Sequence, residues 1–239
     1  MADRRLPVGA TIATAIAFAI LIGLGVWQLK RLAWKEDLLA RVHAAQTAPA
    51  LPIAEVLRAA AKGEDVGYRR VTAICPGLGS APYVELYAII DGEMGSRLVS
   101  VCRLDGAPYA SILVDRGFVA GTISARPPVD ANDARPTGIR GVLREPERKS
   151  FIQPANDPAH KRFFGRQIAP LAAALHADNP APLFLMAETS SNPEWQALKP
   201  APLPVDIPNN HFQYALTWFG LAGALLAVYG AMLWGRLRR

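Results

Sequence analysis

A single histidine, His211, stands where the polar part of the chain gives way to a long apolar run, in the stretch NNHFQYALTWFG, residues 209–220. A neutral imidazole can ligate a metal, pass a proton or anchor a helix among lipid headgroups. Tyr214 and Trp218 follow at i+3 and i+7, so all three share one helical face. Asn209 or Asn210 can cap that helix. On spacing alone the trio reads first as an interfacial anchor and second as a haem-iron ligand with aromatic neighbours. The other histidines, His43, His160 and His176, are scattered through helical or polar loop stretches, and no pair has metal-ligand spacing.

Other chemistry finds little to hold. There is no P-loop, G-x-G-x-x-G, G-x-S-x-G or H-E-x-x-H, so a non-catalytic protein is expected. Asp115–Arg116, inside the apolar strand SILVDRGFV, reads as an ion pair that fixes the turn with Gly117. Cys75 and Cys102 lie in apolar, strand-like stretches and read as two buried thiols, with a disulfide permitted if the region is exported. The net charge of +6 is partly held in the two tails, and no dense basic block interleaved with aromatics supports nucleic-acid binding.

The elements that must position His211 begin with two apolar runs. Hydrophobic residues make up 51% of the 239 and charged residues 19%, and the excess is concentrated at the two ends. Val8–Val26 carries no charge, and neither does Phe212–Gly235. A helix of about 20 residues crosses a hydrocarbon core of roughly 30 Å, so both runs qualify as transmembrane helices. A cleaved signal peptide is the competing reading of the first, but its apolar run is long for one and no A-x-A site follows before Lys30–Arg31.

Both tails are basic, with Arg4 and Arg5 at one end and Arg236, Arg238 and Arg239 at the other. That favours both termini in the cytoplasm and the middle outside, although Lys30, Arg31 and Lys35 argue weakly the other way. The expected layout is a tail (1–7), a first span (8–29) continuing as a helix to about 47, an exported domain (48–208), a second span (212–235) and a tail (236–239). In a bacterium this is an inner-membrane protein with a periplasmic domain, in contact with lipid.

The first span continues at helical period through QLKRLAWKEDLLARVHAAQ, with Trp27, Arg31, Trp34 and Leu38 on one face. Its outer end and the start of the second span fall at the same membrane face. Trp27, Gln28, Arg31, Trp34 and Lys35 can therefore meet His211, Tyr214 and Trp218. Aromatic planes, an imidazole and two cations suit a porphyrin with acidic propionates; the plainer alternative is two helices packed at an interface.

Between the spans, AEVLRAAAKG and IAPLAAALHAD read as short helices. YRRVTAICP, YVELYAII, RLVSVCRL, YASILVDRGFV, TGIRGVLRE, RFFGRQI and PLFLMAE read as strands separated by Gly, Pro and Asp. The expected fold class is α+β: two transmembrane helices flanking an antiparallel, β-rich domain, with closure toward a small barrel as one outcome. The proline-rich segment EWQALKPAPLPVDIPNN reads as an extended return to the membrane.

Taken together, these motifs resemble the surfeit locus protein family of cytochrome c oxidase assembly factors. Gly25, Trp27, Gln28, Arg31, Trp34 and Lys35 match its G-x-W-Q-x-x-R-x-x-W-K motif. Tyr68 to Val71 resembles its Y-x-R-V element, and ILVDRGFV its L-V-x-R-G-W-V strand, with Phe118 in place of Trp. NNHFQYALTWFGLA resembles the motif that opens its second span. Gln167 stands where Asp is common, and Cys102 stands near a usual proline.

The resemblance implies a factor that binds haem a and helps deliver it to cytochrome c oxidase subunit I, with haem A synthase as a further partner. It matches His211 to the family histidine implicated in haem binding. Arg31 and Lys35 would steady propionates, and Trp27, Gln28, Tyr214 and Trp218 would complete the site. The alternative is a membrane scaffold that holds oxidase intermediates without a cofactor.

Overall fold

The computed structural model describes residues 7–106, 108–201 and 209–238. The chain forms two compact units, one of helical ends (described residues 7–41 and 209–238) and one central domain (42–201).

The helical unit is an antiparallel pair. Helix α1 runs Val8–Thr47 without a break, and α4 runs His211–Leu237. Both are long and apolar enough to cross a bilayer, and the protein is a membrane protein. At 40 residues α1 is about 60 Å long, twice the hydrocarbon thickness, so its second half projects beyond the membrane.

The pair meets along a seam that repeats in alternating steps of four and three. On α4 this seam is His211, Ala215, Trp218, Ala222, Leu225 and Tyr229, and on α1 it includes Leu21, Gly25, Gln28 and Leu32. Ala215 and Ala222 are buried to 1% exposure because small residues let the backbones approach. Gly25 has the same role: the Phe219 ring lies 2.5 Å from where a Cβ would stand.

The central domain is built on one eight-stranded sheet in the order β1-β2-β6-β8-β5-β4-β3-β7. The strands are β1 (Leu51–Pro52), β2 (Arg70–Pro76), β3 (Tyr83–Ile90), β4 (Glu93–Arg103), β5 (Ser111–Ala120), β6 (Pro136–Arg144), β7 (Arg162–Phe163) and β8 (Pro180–Ala187). The sheet is mixed rather than a pure antiparallel meander, because β1–β2, β3–β7 and β5–β8 pair in parallel. Its faces are covered by α2 (Ile53–Ala61) and α3 (Ile168–Ala174). Along β8 the side chains alternate: Leu183 and Leu185 pack with α2, while Phe184 packs with Leu171 of α3.

The sheet is not a closed barrel, but it curls strongly. Strands β2 and β4 are four steps apart in the sheet, which would be about 19 Å if it were flat. Cys75 on β2 and Cys102 on β4 are nonetheless 5.1 Å apart at Cα and joined by a disulfide. The sequence left a bridge and two buried thiols both open; curvature, which residue patterns do not reveal, brings the strands together and the bridge forms.

Asp115 and Arg116 are both fully buried, although neighbours on a strand should point to opposite faces. Strand β5 is buried on both faces along almost its whole length, so both can be covered, and a bulge interrupts its pairing at this point. Arg97 pairs with Phe118 and Val99 with Asp115, so Leu98 alone opposes Arg116 and Gly117. Gly117 takes φ +128°, and a Cβ there would lie 2.2 Å from the Lys199 carbonyl oxygen.

The expected Asp115–Arg116 pair does not form. Asp115 accepts a hydrogen bond from Arg97 at 2.5 Å, and Arg97 also donates to the Ala201 carbonyl at 2.8 Å. Arg116 instead donates to Gly79 O at 2.7 Å and Ser191 Oγ at 2.9 Å. Burial among these neutral acceptors lowers its pKa to about 10.

Phe118 and Lys199 exchange backbone hydrogen bonds, which lays the start of the proline-rich return segment against β5. The rest of that segment, 202–208, lies outside the described residues.

Candidate functional site

His211 is the first residue of α4, half-buried on the seam. Its Nδ1 lies 2.6 Å from Gln28 Oε1. A carboxamide oxygen only accepts, so Nδ1 is the donor in this contact, and in the neutral ring the lone pair is then on Nε2. The antiparallel register creates this contact, since the two residues are far apart in sequence and neighbours in the helix pair.

A second polar pair marks the other end of the same seam: Thr11 Oγ1 and Tyr229 Oη are 2.5 Å apart. Thr11 and Gln28 are seventeen residues apart on α1, a rise of about 26 Å. That is close to the roughly 30 Å of a bilayer core. The helix length between the two hydrogen bonds is therefore close to what a membrane crossing needs.

Of the remaining residues singled out by sequence, Trp218 lies on the seam and the others beside it. Trp27, Trp34 and Tyr214 are about half exposed at 51%, 50% and 55%. Arg31 stacks over the Trp34 ring, 4.4 Å from its centroid. Lys35 is half-buried along α1, and Trp218 is half-buried on α4. The structure thus joins Gln28 to His211 directly. Asn209, two residues before His211, has its Oδ1 buried with no partner among the described residues.

The profile of the SURF1 family matches residues 15–223. The chain belongs to the SURF1 family. It is 30% identical to a SURF1-like protein of Rickettsia felis over 90% of this chain and 92% of that one. It is 25% identical to Surfeit locus protein 1 of Homo sapiens over 84% of this chain and 70% of that one. Surfeit locus protein 1 of Mus musculus is likewise 25% identical, over 86% of this chain and 70% of its own length.

The donor set fits a haem better than a bare ion. No group of three or more His, Cys, Asp or Glu side chains is gathered among the described residues. A haem brings four of its iron's ligands with it, so one imidazole with a free Nε2 suffices on the protein side.

The sheet domain carries polar networks that sequence reasoning missed, including Glu85–Arg126 and Arg70–Glu188, both bidentate. Residue spacing offered no signal for them, because each joins segments distant in the chain.

Proposed function

We propose that this SURF1-family protein is an assembly factor for haem-copper cytochrome c oxidase. It binds haem a between its two spans and helps deliver it to subunit I, working beside haem A synthase. Family membership supports the assembly role, and assembly rather than catalysis suits a chain with no catalytic motif.

The observation that carries the haem reading is the His211–Gln28 hydrogen bond, which leaves Nε2 as the ligating atom. Gln28 orients the ring, Arg31 and Lys35 steady the propionates, and Trp27, Tyr214 and Trp218 shield the flat faces. The bound haem supplies a redox-active iron that the finished oxidase needs; the chain itself supplies only grip and orientation.

In a bacterium the protein lies in the inner membrane, with both termini cytoplasmic and the sheet domain periplasmic. The basic tails support that orientation, and so does the buried Cys75–Cys102 disulfide, which suits an oxidising compartment.

Protein co-expressed with haem A synthesis and purified in detergent is expected to show a haem absorption band. His211→Ala should lose it. A full band in that variant would remove His211 as ligand. The scaffold reading draws on the exposed Trp27, Trp34 and Tyr214, which could pack a partner helix. It gains if haem-free protein still co-purifies with subunit I.

A further inference from the structure

Between β6 and β7 the chain makes a tight turn, Ser150–Gln153, closed by a 3.1 Å hydrogen bond from Gln153 N to Ser150 O. Its two central residues are Phe151 and Ile152, which are 98% and 76% exposed. Gly, Pro, Asn, Asp and Ser usually take such positions, so two large apolar side chains there are out of the ordinary. The turn is firmly held. Gln153 and Gln167 exchange side-chain hydrogen bonds of 3.1 and 3.2 Å behind it, and Glu147 N donates to Arg166 O at 2.8 Å. This clamp presents both apolar side chains outward, away from the core. Arg148 and Lys149, both exposed, stand immediately before the turn.

Other exposed apolar groups gather at the same end of the sheet domain. Gly165 lies against the Gln153 side chain, whose Oε1 would be 2.7 Å from a Cβ there. Gly165 and Arg166 share one concavity with Tyr87 and Ile89 of β3, and Ala201 borders it too. Tyr87, Ile89 and Met94, which pairs with Ile89 across the hairpin, are all exposed. This is also the end from which the chain returns to α4, whose first residue is ten positions beyond Ala201. A short covalent tether presents a bilayer to this end at high effective concentration.

We propose that the Phe151–Ile152 turn inserts into the surface of the bilayer that α1 and α4 cross, and that Arg148 and Lys149 hold it there on anionic headgroups. An apolar tip beside exposed cations is the pattern of an interfacial anchor: the apolar groups enter the acyl boundary and the cations meet lipid phosphates. Glu147 is neutralised by its ion pair with Arg166, which leaves Glu145 as the one unpaired acid in 145–152 among the described residues. A protein pocket for Phe151 would need only the tip; the adjacent cations favour an anionic surface. The anchor sets which end of the sheet domain faces the membrane.

The test uses the full chain in phosphatidylcholine nanodiscs with and without phosphatidylglycerol. Cys75 and Cys102 are joined, so Ile152→Cys takes a nitroxide label at that position alone. Asn132→Cys, in the loop beside Arg103 at the other end of β4, serves as the reference. With the anionic lipid, the label at 152 is expected to be open to oxygen and shielded from a water-soluble nickel chelate, and the label at 132 open to the chelate. Omitting the anionic lipid, or adding Arg148→Glu with Lys149→Glu, or adding Phe151→Asp, should return the label at 152 to water, with folding checked by circular dichroism. A label at 152 that is open to the chelate in anionic discs overturns the anchor, and so does equal shielding at 132. A label at 152 closed to both reagents means a protein occupant, such as a second copy, and also overturns it. Shielding that survives the charge reversal or Phe151→Asp overturns the part given to those residues.

Discussion

Replacing Gln28 with leucine tests whether the helix-pair hydrogen bond serves the ligand or only the packing. The change keeps the side chain's volume class and removes the acceptor that faces His211 Nδ1 at 2.6 Å. Interhelical hydrogen bonds in membranes average about 0.6 kcal/mol and reach about 1.7 kcal/mol. The seam around Gly25, Ala215 and Ala222 does not depend on that bond, so the pair should stay closed.

The imidazole, however, loses its orientation and its fixed tautomer. Losing a hydrogen-bonded partner behind a metal-ligating histidine typically costs about 10–100-fold in affinity. Gln28→Leu is therefore expected to weaken haem binding by that factor, measured by absorbance titration of the full chain in nanodiscs. Gln28→Glu should retain binding and shift the iron's reduction potential negative, because a carboxylate makes the ring a stronger donor. A Gln28→Leu protein that binds haem within about twofold of wild type, with an unchanged potential in the Gln28→Glu protein, would refute the orienting role.

The sheet domain offers two further measurements on the full chain in detergent. Cys75→Ala with Cys102→Ala removes a cross-link between residues 27 apart. Loop-closure entropy for that length predicts a loss of about 3–4 kcal/mol in urea unfolding, and a loss under about 1 kcal/mol would mean that the curled sheet holds itself. Asp115→Ala leaves the Arg97 guanidinium, whose side chain is only 9% exposed, without its carboxylate. The expected cost is about 3–5 kcal/mol, largely recovered by adding Arg97→Met, because the penalty comes from the stranded charge. A double variant no more stable than the single one would argue against that cause.

What residue patterns reveal here is periodicity, and what they hide is register. Both spans and the continuation of α1 follow from uninterrupted helical spacing. The long strands from β2 to β6, and β8, follow from β-prone runs between turn residues. Strand β1 is two residues ending in a proline, too short to carry alternation, and β7 keeps only Arg162–Phe163 of the longer run expected there. The parallel pairing of β5 with β8 depends on a crossover that no local signal announces. At the site, the helical faces of Gln28 and His211 are readable from spacing, and their juxtaposition at one membrane face follows from the two-span layout. The hydrogen bond between them depends on how far the antiparallel helices slide past each other. The same limit applies to Asp115, whose partner lies across a bulge between β4 and β5.

The motifs shared with the family separate into two physical jobs. In the helical unit, Gly25 admits the Phe219 ring and so permits the close approach that places Gln28 against His211. On the proposed haem reading, loss of Gln28 should appear as lost haem with the fold intact. In the sheet domain, Arg116 and Gly117 form the bulge opposite Leu98, in a strand buried on both faces. Asp115 then reaches Arg97 and, through it, the Ala201 carbonyl. Phe118, which stands where the family has Trp, still seats its ring over Gly95, where a Cβ would come within 2.5 Å of it. Its backbone meanwhile pairs with Lys199. All of these contacts fix the point where the chain leaves the domain, and none presents a reactive group to solvent. Substitutions there should appear as lost stability, with haem bound in proportion to the protein that remains folded. A variant at Arg116 or Gly117 that folds fully and yet fails to bind haem would break this division.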